Sequence, residues 1–366
     1  MSEIKRIGVM TGGGDCPGLN PVIRAVTKTA IMKYGLEVVG IKHGYRGLYL
    51  GGDEFINLHI NNVEEILSKG GTILYSSNKD NLFDYTYEDE NGNICHGDVS
   101  DVGVKNLKEA GIDALIIIGG DGTLTSGRDF SRKGVKVIGV PKTIDNDLAA
   151  TDTTFGFDTA VSNAVEAIDK LRTTAESHSR IMVVEAMGRY AGFLALSAGV
   201  GGAADAILIP EIPYDIEKVA ASLKQRLASG KNYAIVVVAE GAKPKNGEMY
   251  VSKVVEDSPD PIRLGGIANV VSDQLEKLTG TESRAAILGH IQRGGSPTAN
   301  DRILSTRYGS HAVELLMQGK FGNMVVLRGN EMSYESLENV IGNNKAVDPN
   351  GELVTIAKAT GVCFGD

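Results

Sequence analysis

Short runs of branched apolar residues recur along the chain. Each ends in a glycine-bearing turn and is followed by a longer stretch whose apolar positions repeat every three or four residues. Runs at 7–10, 36–41, 114–118, 135–140, 180–185, 206–209, 233–239, 285–288 and 324–327 are strand-sized. Stretches at 102–110, 159–174, 216–227, 267–278 and 302–318 carry the helical period. Another helix is predicted from Asn20 and Pro21 to Gly35, with Asn20 as N-cap, Pro21 in the first turn and Gly35 as the stop. Strands alternating with helices predict an α/β fold, two doubly wound domains with largely parallel sheets. Such sheets bind ligands beyond the carboxyl ends of their strands, so the glycine loops that follow strands are where chemistry is expected. Two stretches break the rhythm. Residues 80–97 are polar and acidic, with Glu90-Asn91-Gly92-Asn93 as a turn signal, and read as a surface hairpin; 241–265, with Pro244, Pro259 and Pro261, reads as a long loop.

Composition narrows the picture. A chain of 366 residues exceeds what one core usually supports, so two domains are expected, and 42% apolar with 23% charged residues is ordinary for a globular protein. The net charge of −9 argues against broad binding to nucleic acid or to an anionic membrane, while leaving room for a local basic pocket. The apolar runs are too short to span a bilayer, and the first residues lead straight into a strand without a signal-peptide core, so a cytoplasmic location is expected. Cys16, Cys95 and Cys363 are scattered, which suggests a reducing compartment and no metal cluster. Glycine is in excess: 46 residues, about one in eight against roughly 7% on average, predicting loops in which backbone closes on a ligand.

The strongest chemical signal is Ile117-Ile118-Gly119-Gly120-Asp121-Gly122-Thr123, a strand breaking into a glycine loop before a helix. Glycine N–H groups and a helix N-terminus suit phosphate oxygens, and Asp121 is placed to hold Mg²⁺ beside them. The plain alternative is a tight turn with a solvated Asp. The next strand runs into Pro141-Lys142-Thr143-Ile144-Asp145-Asn146-Asp147, which brings two more carboxylates to the same edge. Phosphoryl transfer to an alcohol needs an acceptor for the hydroxyl proton and cations over the transferred charge. Asp145 or Asp147 could accept the proton, and Lys142 and Thr143 could bind phosphate; an Asx-rich turn is the alternative. The first loop, Gly12-Gly13-Gly14-Asp15, matches neither a P-loop nor a clean dinucleotide fingerprint. Arg180, Arg189, Arg284, Glu240, His290 and Arg293 fall near strand ends, where arginine would suit a sugar phosphate and glutamate its hydroxyls.

In order along nearly the whole chain, the stretches 8–15, 119–123, 141–147, 184–189 and 288–295 resemble 6-phosphofructokinase. The resemblance implies an active site in the cleft between the two domains. It implies residues 1–156 with 292–342 as the nucleotide- and Mg-binding domain, and 157–291 with 343–366 as the sugar-phosphate domain. It makes Asp145 the base for the sugar 1-hydroxyl and Asp121 the Mg²⁺ ligand. Thr143 and Asp147 assist at the phosphoryl group, whose charge Arg189 stabilises. Fructose 6-phosphate would be held by Thr143, Ile144, Met187, Gly188, Glu240, His290, Ile291, Gln292 and Arg293. Arg180 and Arg284 would reach in from a neighbouring subunit, implying a homo-oligomer of at least two chains, with a tetramer expected. Gly13, Gly119, Gly120, Gly122 and Thr123, with Asn78 and Lys79, would bind the donor.

Two positions bear on the donor. Lys142 is similar to the pyrophosphate-using branch, yet that branch carries Asp where this chain has Gly122. The pairing resembles the mixed-substrate group that uses ATP, although Asn78 stands where ATP-using relatives commonly carry Arg. The expected activity is therefore ATP-dependent 6-phosphofructokinase in glycolysis, with the pyrophosphate-dependent phosphotransferase as the alternative. A nicotinamide-dependent dehydrogenase would need an acidic residue ending the second strand, where Gly40-Ile41-Lys42 stands. A non-catalytic sugar-phosphate sensor would be expected to lack Asp121 or Asp145, and both are present.

Overall fold

The computed structural model describes residues 4–88, 92–254 and 262–366. The chain divides into two units, each assembled from separated segments. The first contains residues up to Ile144, Leu148–Gly156 and Arg293–Asn344; the second contains Asp145–Asp147, Phe157–Gln292 and Lys345–Asp366. Residues 145–147, expected with the first domain, thus group with the second unit.

The first unit is built on a seven-stranded sheet in the order Glu331–Ser336, Asn323–Arg328, Val137–Pro141, Ala114–Gly119, Arg6–Thr11, Glu37–Ile41, Phe55–Leu58. The five central strands are parallel, and the two outer ones are antiparallel to their neighbours. Ala114–Gly119 is buried along its whole length, as its unbroken apolar run requires of a strand covered on both faces. One face packs Met10, Leu115, Ile117, Leu124 and Phe130 into a single core.

The second unit holds a parallel four-stranded sheet, Ser283–Ile287, Ile181–Ala186, Ala234–Ala239, Ala206–Leu208. The period of two divides its strands between two cores. Met182, Val184, Ile235 and Val237 face the long helix Phe157–His178, while Ile181, Val183, Val236 and Val238 face helices Ile216–Ala228 and Ile267–Thr279. Both sheets are doubly wound, as the alternating pattern predicts.

Several local expectations are corrected. Asn20 is not an N-cap: helix Leu19–Tyr34 is preceded by Gly18 at φ 113°, and the buried Asn20 amide instead donates to the carbonyls of Lys69 and Gly70 and accepts from the Ile73 N–H. Gly35 does end that helix in the left-handed conformation. The 80–97 segment contains antiparallel strands Tyr85–Glu88 and Ile94–Gly97; Glu90 and Asn91 of its turn signal lie outside the described residues. The 241–265 stretch is not a plain loop, since Val251–Val254 pairs antiparallel with Ile262–Leu264; Pro259 and Pro261 lie outside the described residues. Among the described residues no helix is long and apolar enough to cross a membrane.

Candidate active site

In the first unit, Val137–Pro141, Ala114–Gly119 and Arg6–Thr11 are adjacent and parallel, so the segments leaving their carboxyl ends share one edge. Backbone hydrogen bonds tie these segments together: Gly12 N–H donates to Ile118 O and Lys142 N–H to Gly119 O, both at 2.9 Å. Two glycines at this edge are steric necessities. A Cβ on Gly12 would lie 2.6 Å from Thr123 Cγ2, and one on Gly119 would lie 2.3 Å from Thr123 Cβ. The Thr123 side chain fills the space that two absent side chains leave.

The glycine loop after Gly119 is shorter than the sequence suggests. The helix Asp121–Arg132 begins at Asp121 itself, so Asp121, Gly122 and Thr123 form its first turn. An acidic residue there is favoured by the partial positive charge of the helix end. Asp121 Oδ1 accepts from Gly342 N–H at 3.0 Å. Gly122 is exposed, and a Cβ placed on it meets nothing within 4 Å.

Lys142 is 4% exposed, and its Nζ donates to Gly14 O. A Cβ on Gly13 would lie 3.4 Å from that Nζ, so the cation stands directly against the glycine loop. Arg293, expected among the sugar-phosphate residues, belongs to this unit and donates from Nη1 to Asp15 O at 3.0 Å. The segment carrying Asn78 and Lys79 also reaches the loop: Ser77 O accepts from Gly13 N–H at 2.9 Å, and Ser76 Oγ donates to Gly13 O. Thr143 O accepts from Thr154 Oγ1 at 2.7 Å, and the Ile144 side chain is buried.

Cys16, in the same loop, is completely buried against Phe155 O, and burial pushes its thiol up to about 12. It is therefore a packed side chain and not a nucleophile.

In the second unit, Met187–Arg189, Glu240 and the turn that starts at Gly289 leave the carboxyl ends of three adjacent parallel strands. Glu240 N–H donates to Ala186 O at 2.9 Å and Leu288 N–H to Glu185 O at 3.1 Å. Gly188 adopts φ 128°, and its would-be Cβ lies 2.8 Å from Ala191 O, so this bend admits no side chain. Gln292 is fully buried, accepting from Met187 N–H and donating to Gly289 O. It thereby fixes the turn that leaves His290 exposed and Ile291 70% exposed. The half-buried Arg189 lies over the Tyr190 ring, 5.7 Å from its centroid. Glu185 is consumed structurally: its carboxylate accepts from the Gly266 and Ala268 N–H groups and so caps helix Ile267–Thr279. The 145–147 segment is held through Lys345, whose N–H donates to Asp147 O and whose Nζ donates to Asn146 Oδ1.

Arg180 and Arg284 stand apart. Arg180 precedes strand Ile181–Ala186 and Arg284 is the second residue of Ser283–Ile287, so both occupy the amino edge of this sheet. Both bind Glu282, Arg180 through Nε at 2.7 Å and Arg284 through Nη2. A six-residue strand at about 3.3 Å per residue separates them from Met187–Arg189 by roughly 20 Å.

An acidic helix start, crowded glycines and a buried lysine thus share one sheet edge of this α/β protein. The chain belongs to the phosphofructokinase family, which it matches over residues 6–316; members of that family are phosphotransferases. It is 65% identical over 367 residues to the ATP-dependent 6-phosphofructokinase 2 of Clostridium perfringens, with 100% of both chains covered. It is 49% identical over 345 residues to the pyrophosphate–fructose 6-phosphate 1-phosphotransferase of Amycolatopsis methanolica, covering 94% of this chain and 96% of the relative. The phosphofructokinase structure from Saccharomyces cerevisiae is similar at a TM-score of 0.78 and 32% identity, over 92% of this chain and 45% of the yeast chain.

Proposed function

We propose that the chain is an ATP-dependent 6-phosphofructokinase that phosphorylates the 1-hydroxyl of fructose 6-phosphate in glycolysis, within a cytoplasmic setting. The observation carrying this reading is the row of Gly13, Asp121 and Lys142 on one parallel-strand edge, with Asp145 three residues beyond that lysine.

The donor phosphates lie, on this reading, against Gly13, Gly119, Gly120 and the first turn containing Gly122 and Thr123, with Lys142 neutralising the terminal phosphate. Asn78 and Lys79 flank that loop. Asp145 accepts the proton of the 1-hydroxyl as its oxygen attacks, and Thr143 and Asp147 hold the transferred group. Arg189 stabilises the charge that spreads over its oxygens. Met187, Gly188, Glu240, His290 and Ile291 position the sugar, and Gln292 supports their turn. Arg293 lies on the glycine-loop side and would meet phosphate from there.

Among the described residues no three His, Cys, Asp or Glu side chains gather as a metal-holding group, so Asp121 supplies only part of a coordination shell. That fits Mg²⁺, which keeps waters and is commonly held by one or two carboxylates together with substrate phosphates. Its contribution when bound is to neutralise phosphate charge.

Arg180 and Arg284 face away from the sugar residues of their own sheet, which supports a homo-oligomer whose sites borrow these arginines from a second chain. The amino-edge placement is what such a loan requires.

Gly122 favours ATP, because it leaves open the space that a carboxylate would deny to a nucleotide. Lys142 and the Amycolatopsis relative favour pyrophosphate, but a lysine serves the terminal phosphate of either donor. A coupled assay offering each donor separately with fructose 6-phosphate decides. Turnover with ATP is expected; turnover with pyrophosphate alone overturns the donor and leaves the acceptor chemistry standing.

A further inference from the structure

The turn that carries Asp145 is strained at its centre. Asn146 adopts φ 52°, in the left-handed region that residues with a side chain seldom enter, although Asn tolerates it better than most. Backbone of this kind persists where its surroundings over-determine it. Along the turn, buried Ile144, Asn146 and Leu148 alternate with half-buried Asp145 and Asp147. The buried residues anchor the turn and leave its two carboxylates as the accessible groups. Asn146 is the polar anchor among them, and a buried carboxamide requires a partner.

The family match ends at residue 316, and the grip on this turn comes from beyond it. Asn344 forms an antiparallel bridge with Leu148. Lys345 N–H donates to Asp147 O at 2.6 Å, and Lys345 Nζ donates to Asn146 Oδ1 at 3.3 Å. Asn344 and Lys345 thus bind Leu148, Asp147 and Asn146 in order. The gripping segment is itself fixed before and after these residues. Gly342 N–H donates to Asp121 Oδ1 at 3.0 Å, and Val347 N–H donates to Glu211 Oε1 at 2.8 Å. The same Glu211 oxygen accepts from Gly192 N–H at 2.9 Å. Lys345 is half-buried, with Nζ over the Phe193 ring, 5.7 Å from its centroid, which restricts where the ammonium can go.

We propose that Lys345 is a positioning residue for phosphoryl transfer: its ammonium holds Asn146 in the left-handed conformation and so aims the Asp145 carboxylate at the sugar hydroxyl. This rests on the reading of Asp145 as the base. Asp145 and Asn146 share a peptide plane, so relaxation of Asn146 turns the carboxylate away from its target. A misplacement of about 1 Å can cost up to about 10²-fold in rate. The bond from Lys345 N–H to Asp147 O survives a change of side chain, so losing the ammonium should cost less than losing the base. A Lys345 that served stability alone would show itself in the melting temperature and leave kcat untouched.

The test compares the native protein with Lys345→Met, Lys345→Arg, Asn146→Gly and the Lys345→Met/Asn146→Gly double variant, with whichever donor the native protein uses. Met keeps the stem and removes the charge; Gly accepts a positive φ and has no carboxamide. Lys345→Met should lower kcat roughly tenfold while leaving KM for sugar phosphate and donor near native. Lys345→Arg, which keeps a cationic donor, should retain most of the native kcat. Asn146→Gly should resemble Lys345→Met, and the double variant should be no slower than the slower single one, because both changes remove one interaction. A native kcat in folded Lys345→Met overturns the proposal. So do losses that multiply in the double variant, or a raised KM with kcat unchanged. Should Lys345→Met fail to fold, a native kcat in Asn146→Gly overturns it instead. Near-normal turnover by Asp145→Asn would overturn the base assignment beneath it.

Discussion

Replacing Gly122 by Asp separates the energetics of folding from those of the donor. Gly122 is the second residue of its helix, and a Cβ there meets nothing within 4 Å, so the side chain enters open space. Removing a glycine from a helix recovers about 0.5–1 kcal/mol of backbone entropy. A carboxylate in the first turn adds about 0.3–1 kcal/mol from the helix dipole, less some repulsion from Asp121. The variant should therefore melt at the native temperature or a few degrees above it. Its effect on ATP runs the other way. A carboxylate within about 5 Å of a phosphate charge costs on the order of 3 kcal/mol at an effective dielectric near 20, and screening lowers this. Even half that figure is roughly tenfold in rate. The assay is kcat/KM for each donor beside a thermal melt. Expected are a melting temperature no lower than native and ATP use reduced at least tenfold. Undiminished ATP use in the folded variant would refute the exclusion argument, and a large loss of stability would refute the steric one.

Four further outcomes follow from named residues. Asp145→Asn should lower kcat by roughly 10²–10⁴-fold, the usual scale for a positioned general base, with a much smaller change in fructose 6-phosphate affinity; near-normal turnover removes Asp145 from that role. Mixing inactive Asp145→Asn with inactive Arg284→Ala should restore activity if sites form across chains, and no recovery despite demonstrated subunit exchange counts against shared sites. Cys16, whose thiol burial holds near 12, should resist iodoacetamide at pH 8 while the partly exposed Cys95 and Cys363 react, as peptide mapping would read. The unfolded chain ionises that thiol near 9.0 and the folded chain only near 12, so its ionisation makes stability fall as pH rises above 9; a Cys16→Ala variant should show a shallower alkaline decline.

The sequence made the central strands plain because parallel strands covered on both faces must be apolar throughout, as 114–118 and 234–239 are. It concealed Phe55–Leu58 and Glu331–Ser336 because these edge strands are partly exposed and lack an unbroken apolar run, which leaves little pattern to read. Helix Phe193–Gly201 lacks an amphipathic stripe: it is apolar nearly all round, and its glycines suggest a loop. At the candidate site, the glycine and carboxylate positions were legible because each follows a readable strand. That Lys142 meets Gly14, or that Lys345 meets Asn146, depends on contacts between residues 128 and 199 positions apart, which no local pattern encodes.

The interleaving of the two units has a consequence for how the protein is made. Strand Val137–Pro141 acquires its outer neighbour only when Asn323–Arg328 emerges, about 180 residues later. At roughly 5–20 residues per second, a nascent chain carries that apolar strand with one side unpaired for about 10–40 s. The second unit is likewise incomplete until Lys345–Asp366 appears, and Cys363 of that segment bridges to Ala206 beside the sheet. Neither unit can finish folding on the ribosome before most of the other has been synthesised. Aggregation during synthesis should therefore respond to translation speed and chaperone supply more than to the stability of the finished fold.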